Sequence, residues 1–159
     1  MEVKGITDED FVNYKLPCMF IASPTCTFKC EKESGVRCCQ NSDLAKQKSV
    51  DLSTDAMIER YMRNPITKAI CVGGLEPFDQ FYDLLELISK MRIVHECADP
   101  VIIYTGYNKD EVSKKIEQLK HYPNIIVKFG RYVPNQEPHM DDVLGVQLAS
   151  PNQYAEAIS

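Results

Sequence analysis

The sequence lacks long hydrophobic runs and has no excess of basic residues. No stretch approaches the roughly 20 consecutive apolar residues that a membrane-spanning helix requires. The first residues are polar and acidic, unlike a basic flank followed by an apolar segment. The formal net charge is −5 at pH 7. We therefore expect no signal peptide, no membrane segment, no nucleic-acid partner and a cytoplasmic location.

Internal repeats, low-complexity tracts and linkers rich in Gly and Ser are also missing. A chain of 159 residues is long enough to bury one hydrophobic core without disulfide or metal staples. We therefore expect a single domain over residues 1–159.

Cysteine, in contrast, is abundant. Of the seven cysteines, four are crowded into one polar segment, at Cys26, Cys30, Cys38 and Cys39. In a reducing cytosol such a cluster indicates metal or redox chemistry rather than structural disulfides, and an odd total fits poorly with full pairing. The other three are expected to be buried as small hydrophobic residues; these are Cys18, Cys71 and Cys97.

Short apolar runs alternate with helical patterns along the chain. The runs that predict buried strands are Leu16–Ala22, Lys68–Val72, Val101–Tyr104 and Ile125–Phe129. The segments that predict helices are Thr54–Arg63, Phe78–Met91 and Asp110–Leu119. This alternation is typical of parallel strands with crossover helices, and its length favours an α/β fold, either a partial (βα) barrel or an open sheet. Residues from about 132 to 159 are predicted to be a loop-rich tail with a short extended piece near Leu144–Leu148.

Each predicted strand is followed by a polar or glycine-containing segment. In order, these segments are the cysteine loop at about 22–41, Gly73–Gly74, Thr105–Gly106 and Gly130–Arg131. In parallel α/β folds, ligands bind in the loops at the carboxyl ends of the strands. We therefore expect these four segments to converge on one site.

The cysteine loop fits an iron–sulfur cluster, since thiolates a few residues apart can wrap one. Cys38 and Cys39 are adjacent, and neighbouring side chains on an extended backbone point apart. The spacing therefore favours three cluster ligands over four, which leaves one iron open. Structural zinc prefers two pairs of ligands at C-x₂₋₄-C spacing, and no histidine lies near this loop in sequence. A non-catalytic zinc-binding interaction module is the alternative from another class.

The order of the motifs resembles the radical S-adenosylmethionine (SAM) superfamily. The motifs that carry the resemblance are Cys26-x₃-Cys30 after the first strand and Gly73-Gly74-Leu75-Glu76-Pro77 after the second. Later motifs are similar to those of the activating proteins of anaerobic (class III) ribonucleotide reductases; these are Tyr104–Tyr107, Gly130–Tyr132 and Leu148–Gln153. The resemblance extends from about Tyr14 to Gln153 and implies a partial (βα) barrel of parallel strands.

The chain departs from the C-x₃-C-x₂-C pattern of this family, because its own pattern is C-x₃-C-x₈-C. Residues Glu31–Arg37 are interpreted as an insertion before the third ligand. The metal ligands that the resemblance implies are Cys26, Cys30 and Cys39, the last because Cys39-Gln40-Asn41 matches the Cys-x-Asn of related activases. Cys38 then takes the place of an aromatic residue near the SAM adenine. The glycine turn also carries one extra residue, Leu75.

The resemblance implies that a [4Fe–4S] cluster cleaves SAM reductively to a 5′-deoxyadenosyl radical, with no catalytic side chain. The implied SAM-binding residues are Cys38, Gly73, Gly74, Glu76, Thr105 and Gly130. The implied partners are a glycyl radical enzyme such as anaerobic ribonucleotide reductase, and an electron donor such as flavodoxin or ferredoxin. Arg131 and the tail are candidates for docking the enzyme. A radical SAM reaction on another substrate is the alternative within the enzymes.

Overall fold

The computed structural model describes residues 1–159. The strands are β1 (Glu2–Val3), β2 (Gly5–Asp10), β3 (Cys18–Ala22), β4 (Val50–Asp51), β5 (Ala69–Gly73), β6 (Val101–Tyr104), β7 (Ile125–Phe129), β8 (His139–Asp141), β9 (Val146–Leu148) and β10 (Tyr154–Ala157). The α-helices are α1 (Lys29–Ser34), α2 (Ser42–Lys46), α3 (Thr54–Arg63), α4 (Phe81–Ser89) and α5 (Ser113–Leu119). No helix combines the length and the apolar character needed to cross a membrane.

A six-stranded sheet with the order β10-β7-β6-β5-β3-β2 forms the centre of the molecule. Its four inner strands, β3, β5, β6 and β7, are parallel, and each pairs with the next strand of this sheet along the chain. Its two outer strands, β2 and β10, are antiparallel to their neighbours. The four strands predicted from apolar runs are therefore confirmed, in an α/β fold whose mostly parallel sheet is compatible with a partial barrel.

Nearly every residue of the inner strands is buried. Since successive side chains of a strand point to opposite faces, both faces of the sheet are covered here. Met19 and Ile21 belong to a large apolar cluster with residues of α3, α4 and α5. Cys18 belongs to a smaller cluster that Tyr14 and Leu144 close from the other side of the sheet. The residues between β2 and β3 and the β8–β9 hairpin thus cover the face that the helices leave open.

The scattered cysteines are buried, as the sequence predicts. Cys18 and Cys71 are fully inaccessible to solvent, and Cys97 is 8% exposed. All three are free thiols. Apolar packing explains their positions, and none of them lines the cleft described below.

The predicted helices are present, and two of them are irregular. Helix α3 begins where Ser53 Oγ accepts a hydrogen bond from Ala56 N at 3.4 Å, and it ends before Pro65. The predicted helix Phe78–Met91 is a 3₁₀ turn, then α4, then a π-helical turn at Lys90–Val94. Helix α5 is likewise preceded by a 3₁₀ turn, at Lys109–Val112.

The edges of the sheet differ from the sequence expectation. Strand β2 was not expected, because its sequence GITDED is acidic and shows no apolar alternation. The tail is also less loop-like than predicted: β8 pairs with β9, and β10 pairs with β7. Edge strands need little burial, so pairing with an inner strand defines them more than their own composition does.

Candidate functional site

A cleft of about 420 Å³ opens at the carboxyl ends of the four parallel strands. Each of the four segments predicted to converge contributes to its wall, through Cys26, Gly74, Thr105 and Gly130. The predicted convergence is therefore confirmed. Parallel strands impose it, since their carboxyl ends lie at one edge of the sheet.

Three of the four clustered cysteines line this cleft, namely Cys26, Cys30 and Cys39. Each is partly buried and carries a free thiol. Cys38 does not line the cleft, and its Sγ lies 3.3 Å from Ser34 Oγ. No three Cys, His, Asp or Glu side chains in the chain are grouped closely enough to hold a metal ion. The three thiols therefore share one cavity without meeting at one point.

The segment that carries the cysteines is partly helical, whereas the sequence indicated a loop. Phe28 has a left-handed backbone, with φ of 53°, and its N–H donates to Cys26 Sγ at 3.2 Å. Helix α1 starts at the next residue and includes Cys30, so the turn at Phe28 brings both thiols to one side. Gly35, with φ of 71°, ends α1.

Burial raises the pKa of the Cys26 and Cys30 thiols to about 11. The neighbouring Cys39 and Cys38 thiols raise the pKa of Cys30 further. A cysteine binds a metal as its thiolate, so these thiols need a positively charged group nearby to lose their protons near neutral pH. Three free thiols around one cavity fit a cluster of several irons, which is wider than a single ion.

Glu76 is a buried acid at the back of the cleft, 5% exposed. Its Oε1 accepts from Thr105 Oγ1 at 2.7 Å, and its Oε2 accepts from Gly106 N at 2.9 Å. Its Oε1 also accepts from Phe78 N at 3.1 Å. Burial raises the pKa of Glu76 to about 7, against the opposing effect of these hydrogen bonds. Both carboxylate oxygens thus hold the turn after β6 in place.

The two glycines after β5 differ in position. Gly74 lines the cleft with φ of 77°, and a Cβ there would lie 2.9 Å from Leu44 Cδ2 of α2. Gly73 is buried behind the cleft wall, where a Cβ would lie 3.0 Å from Tyr104 Cβ. All the predicted contacts with SAM stay predictions; they are those of Cys38, Gly73, Gly74, Glu76, Thr105 and Gly130.

Lys128 is a cleft residue that sequence reasoning missed. It is 7% exposed, and its Nζ donates to the carbonyl oxygen of Gly130 at 2.9 Å. Burial lowers its pKa to about 8, and the charge of Glu76 opposes this shift. The available signal was a lysine inside the otherwise apolar run IIVKF, at a position that alternation places on the same face as Ile126.

Arg131 is not a free docking group, which corrects that expectation. It is 6% exposed, and its guanidinium donates to both carboxylate oxygens of Glu111 at 2.7 Å. Its Nε lies 2.9 Å from Glu33 Oε2 as an ion pair, without the alignment of a hydrogen bond. Glu111 Oε1 also pairs with Lys29 Nζ at 3.0 Å. Arg131 thus ties α1, which carries Cys30, to the end of β7.

A second tie holds the start of the cysteine segment. Asp79 Oδ2 accepts from Thr27 N at 3.0 Å, and its Oδ1 accepts from Tyr107 Oη at 2.6 Å. Lys29 Nζ lies 4.6 Å from the centre of the Tyr107 ring, within the range of a cation–π contact. The sequence did not reveal this cluster, because its members come from three segments that lie far apart in the chain.

The motif at the end of the chain supports the opposite wall. Gln153 Nε2 donates to Gly130 O at 3.3 Å, and Asn152 Nδ2 donates to Arg131 O at 2.9 Å. Ala149 N in turn donates to Gln153 Oε1 at 3.1 Å. Residues 148–153 therefore fix the backbone after β7, where the cleft is lined by Gly130 and Arg131.

Comparison with known proteins gives one family. The family model of the 4Fe-4S single cluster domain matches residues 18–150, which is most of the chain and includes every wall of the cleft except Asn13 and Gln153. No curated protein and no solved structure gives a significant match.

Proposed function

The chain belongs to the 4Fe-4S single cluster domain family, and we propose that it is a radical SAM activase that generates a glycyl radical on a partner enzyme. The observation that carries the proposal is the shared cleft. Cys26, Cys30 and Cys39 line it together with Gly74 and Thr105, at the carboxyl ends of parallel strands. Three thiolates around a four-iron cluster leave one iron free for a ligand in the same cavity.

Cys26, Cys30 and Cys39 would hold the cluster, which when bound and reduced would supply the electron for the reductive cleavage of SAM. The protein supplies binding, orientation and electrostatics. Gly74 lines the cleft with a left-handed backbone and no side chain, which suits a close approach of the backbone to the methionine part. Thr105 and Gly130 line the cleft from neighbouring strand ends.

Glu76 has an indirect role in this proposal. Because neutral donors of Thr105, Gly106 and Phe78 engage its carboxylate, it fixes the wall against which SAM lies. A contact with the SAM ammonium group would have to compete with those bonds.

The proposed substrate is a glycine Cα–H of a glycyl radical enzyme, with anaerobic ribonucleotide reductase as the first candidate. The reaction would remove the hydrogen atom from that glycine Cα and release 5′-deoxyadenosine, with the unpaired electron left on the glycine. A flavodoxin or ferredoxin supplies the electron. A radical SAM reaction on another substrate is the second candidate, while the family match favours an iron–sulfur cluster over the zinc module.

The first experiment tests the cluster and SAM together. The protein is reconstituted anaerobically with iron and sulfide and reduced, and EPR spectra are recorded before and after SAM addition. We expect four irons per chain and a spectrum that SAM changes. Cys39→Ala should lose the cluster and Cys38→Ala should keep it. A spectrum that SAM leaves unchanged, or bound zinc without iron, would contradict the proposal.

The second experiment tests the substrate. The reduced protein with SAM is mixed with an anaerobic ribonucleotide reductase. EPR then measures the amount of glycyl radical, and chromatography measures the amount of 5′-deoxyadenosine. We expect the two products in equal amounts. A partner whose radical-bearing glycine is replaced by alanine is the control. Release of 5′-deoxyadenosine without a glycyl radical would favour the second candidate.

A further inference from the structure

The insertion Glu31–Arg37 is folded back onto the cysteine segment. Its first residues form the last part of α1, and Gly35 reverses the chain after them. The N–H of Gly35 donates to Glu31 O at 3.0 Å, which closes the turn. The chain therefore returns to the cleft within a few residues, and Cys39 comes back beside the helix that carries Cys30.

Glu31 makes a specific contact at the point of return. Its Oε1 accepts a hydrogen bond from the backbone N–H of Cys39 at 3.2 Å. Cys39 lines the cleft. Its neighbour Cys38 instead has its Sγ 3.3 Å from Ser34 Oγ, also in α1. Two residues of the same helix thus contact two adjacent cysteines, one through the backbone and the other through the side chain.

The helix that carries these residues is itself fixed to neighbouring segments at the carboxyl edge of the sheet. Glu33 lies one residue before Ser34 and pairs with the buried Arg131 at 2.9 Å. Lys29, at the start of α1, pairs with Glu111 at 3.0 Å. Glu111 and Arg131 are hydrogen-bonded to each other, so the same ion pair holds both ends of α1. Glu31 therefore acts from a fixed position.

We propose that Glu31, on the anchored helix α1, is a positioning residue that selects Cys39 over Cys38 as the third ligand of the cluster. The inference rests on the proposed function. Adjacent side chains of an extended chain point apart, so only one of Cys38 and Cys39 can face the cleft at a time. A rotation of the backbone at these two residues would turn the other thiol toward the cleft. The hydrogen bond from Cys39 N–H to the Glu31 carboxylate holds the backbone in one of these orientations. Ser34 Oγ gives the Cys38 thiol, which faces away from the cleft, a polar partner.

The test maps which thiol the cluster protects. Reconstituted protein is alkylated under anaerobic conditions, and fragmentation mass spectrometry measures modification at Cys38 and Cys39 separately. In the wild type we expect Cys38 to be modified and Cys39 protected. In Glu31→Ala we expect the preference to fall on the order of tenfold, the value of one hydrogen bond to a charged acceptor. Its EPR spectrum should show two cluster species, and adding Cys38→Ala should restore one.

Matched variants separate positioning from folding. Glu31→Gln keeps an acceptor oxygen and should stay within about threefold of the wild-type preference. Lys32→Ala alters an exposed neighbour on the same helix and should change nothing. If Glu31→Ala fails to fold, Glu31→Asp keeps the charge but shortens the side chain, and it should show the same loss of preference.

The outcomes distinguish the two proposals. Wild-type protein that takes up no iron overturns the proposed function and the selection with it. Full iron content with the same protection pattern in wild type, Glu31→Ala and Glu31→Asp overturns the selection alone. Equal protection of Cys38 and Cys39 in the wild type also overturns it.

Discussion

Arg131 donates one hydrogen bond from each terminal nitrogen to the two carboxylate oxygens of Glu111, both at 2.7 Å. Paired bonds of this geometry are among the stronger ion pairs in proteins. They lower the pKa of Glu111 to about 2. The pair also connects two separate segments of the chain, because Glu111 precedes α5 and Arg131 follows β7 at the cleft.

The first prediction concerns stability in acid. The pKa of Glu111 is lower in the folded chain than in the unfolded one. Its contribution to the free energy of unfolding is therefore complete above about pH 4.5 and is lost as the pH falls toward 2. We expect Glu111→Gln to show a smaller loss of stability over this range than the wild type. Urea unfolding of the apo protein between pH 3 and 6 measures it. Parallel curves for the two proteins would contradict the prediction.

The second prediction concerns the buried acid. The pKa of Glu76 is raised from 4.5 to about 7 in the folded chain. Its contribution to the free energy of unfolding is therefore present below pH 4.5 and lost as the pH rises through 7. The loss amounts to at most about 3 kcal/mol for a shift of this size. We expect Glu76→Gln to remove this pH dependence in the apo protein. Asp142→Asn, at an exposed position, is the control and should retain it.

The third prediction concerns the buried lysine. The pKa of Lys128 is lowered from 10.5 to about 8, so folding disfavours its charge and stability rises with pH between 8 and 10.5. We expect Lys128→Met to stabilise the apo protein at pH 7 by up to about 3 kcal/mol. The exposed Lys114→Met serves as the control. Chemical unfolding at pH 7 and pH 10 decides, and a gain of equal size at both values would contradict the stated cause.

The fourth prediction concerns the turn after β7. Gly130 has φ of 97°, and a Cβ there would lie 2.7 Å from the carbonyl oxygen of Asn152. We expect Gly130→Ala to destabilise the protein by about 1–3 kcal/mol, because both the backbone and the space are unfavourable. Gly5→Ala, where nothing lies within 4 Å of the added Cβ, should change stability by less than about 0.5 kcal/mol. Thermal unfolding compares the two.

The inner strands could be predicted from the sequence because both of their faces are buried. A strand such as Val101–Tyr104 is a nearly continuous apolar run, and its bounds match the prediction. Strand β2 could not be found in this way, because an acidic edge strand depends on its neighbour for pairing. The same holds for β10, which pairs along β7.

For the site as well, some features could be predicted from the sequence and others could not. Cys26 and Thr105 could be placed together, because strand order alone brings their loops to one edge. The burial of Arg131 could not be predicted, since it depends on partners that lie far away in sequence, among them Glu33. The contact between Glu31 and Cys39 N–H depends on the fold of the insertion itself, for which composition gave no sign.

Because of helix α1, the spacing of the clustered cysteines along the chain does not determine their spacing in the molecule. The turn closed by Gly35 takes up the intervening residues, so Cys39 lines the same cleft as Cys30 although eight residues separate them. A search with a fixed C-x₃-C-x₂-C pattern therefore passes over chains of this kind. A pattern with a variable second gap, an acidic residue directly after the second cysteine and a glycine four residues beyond that acid would retrieve them.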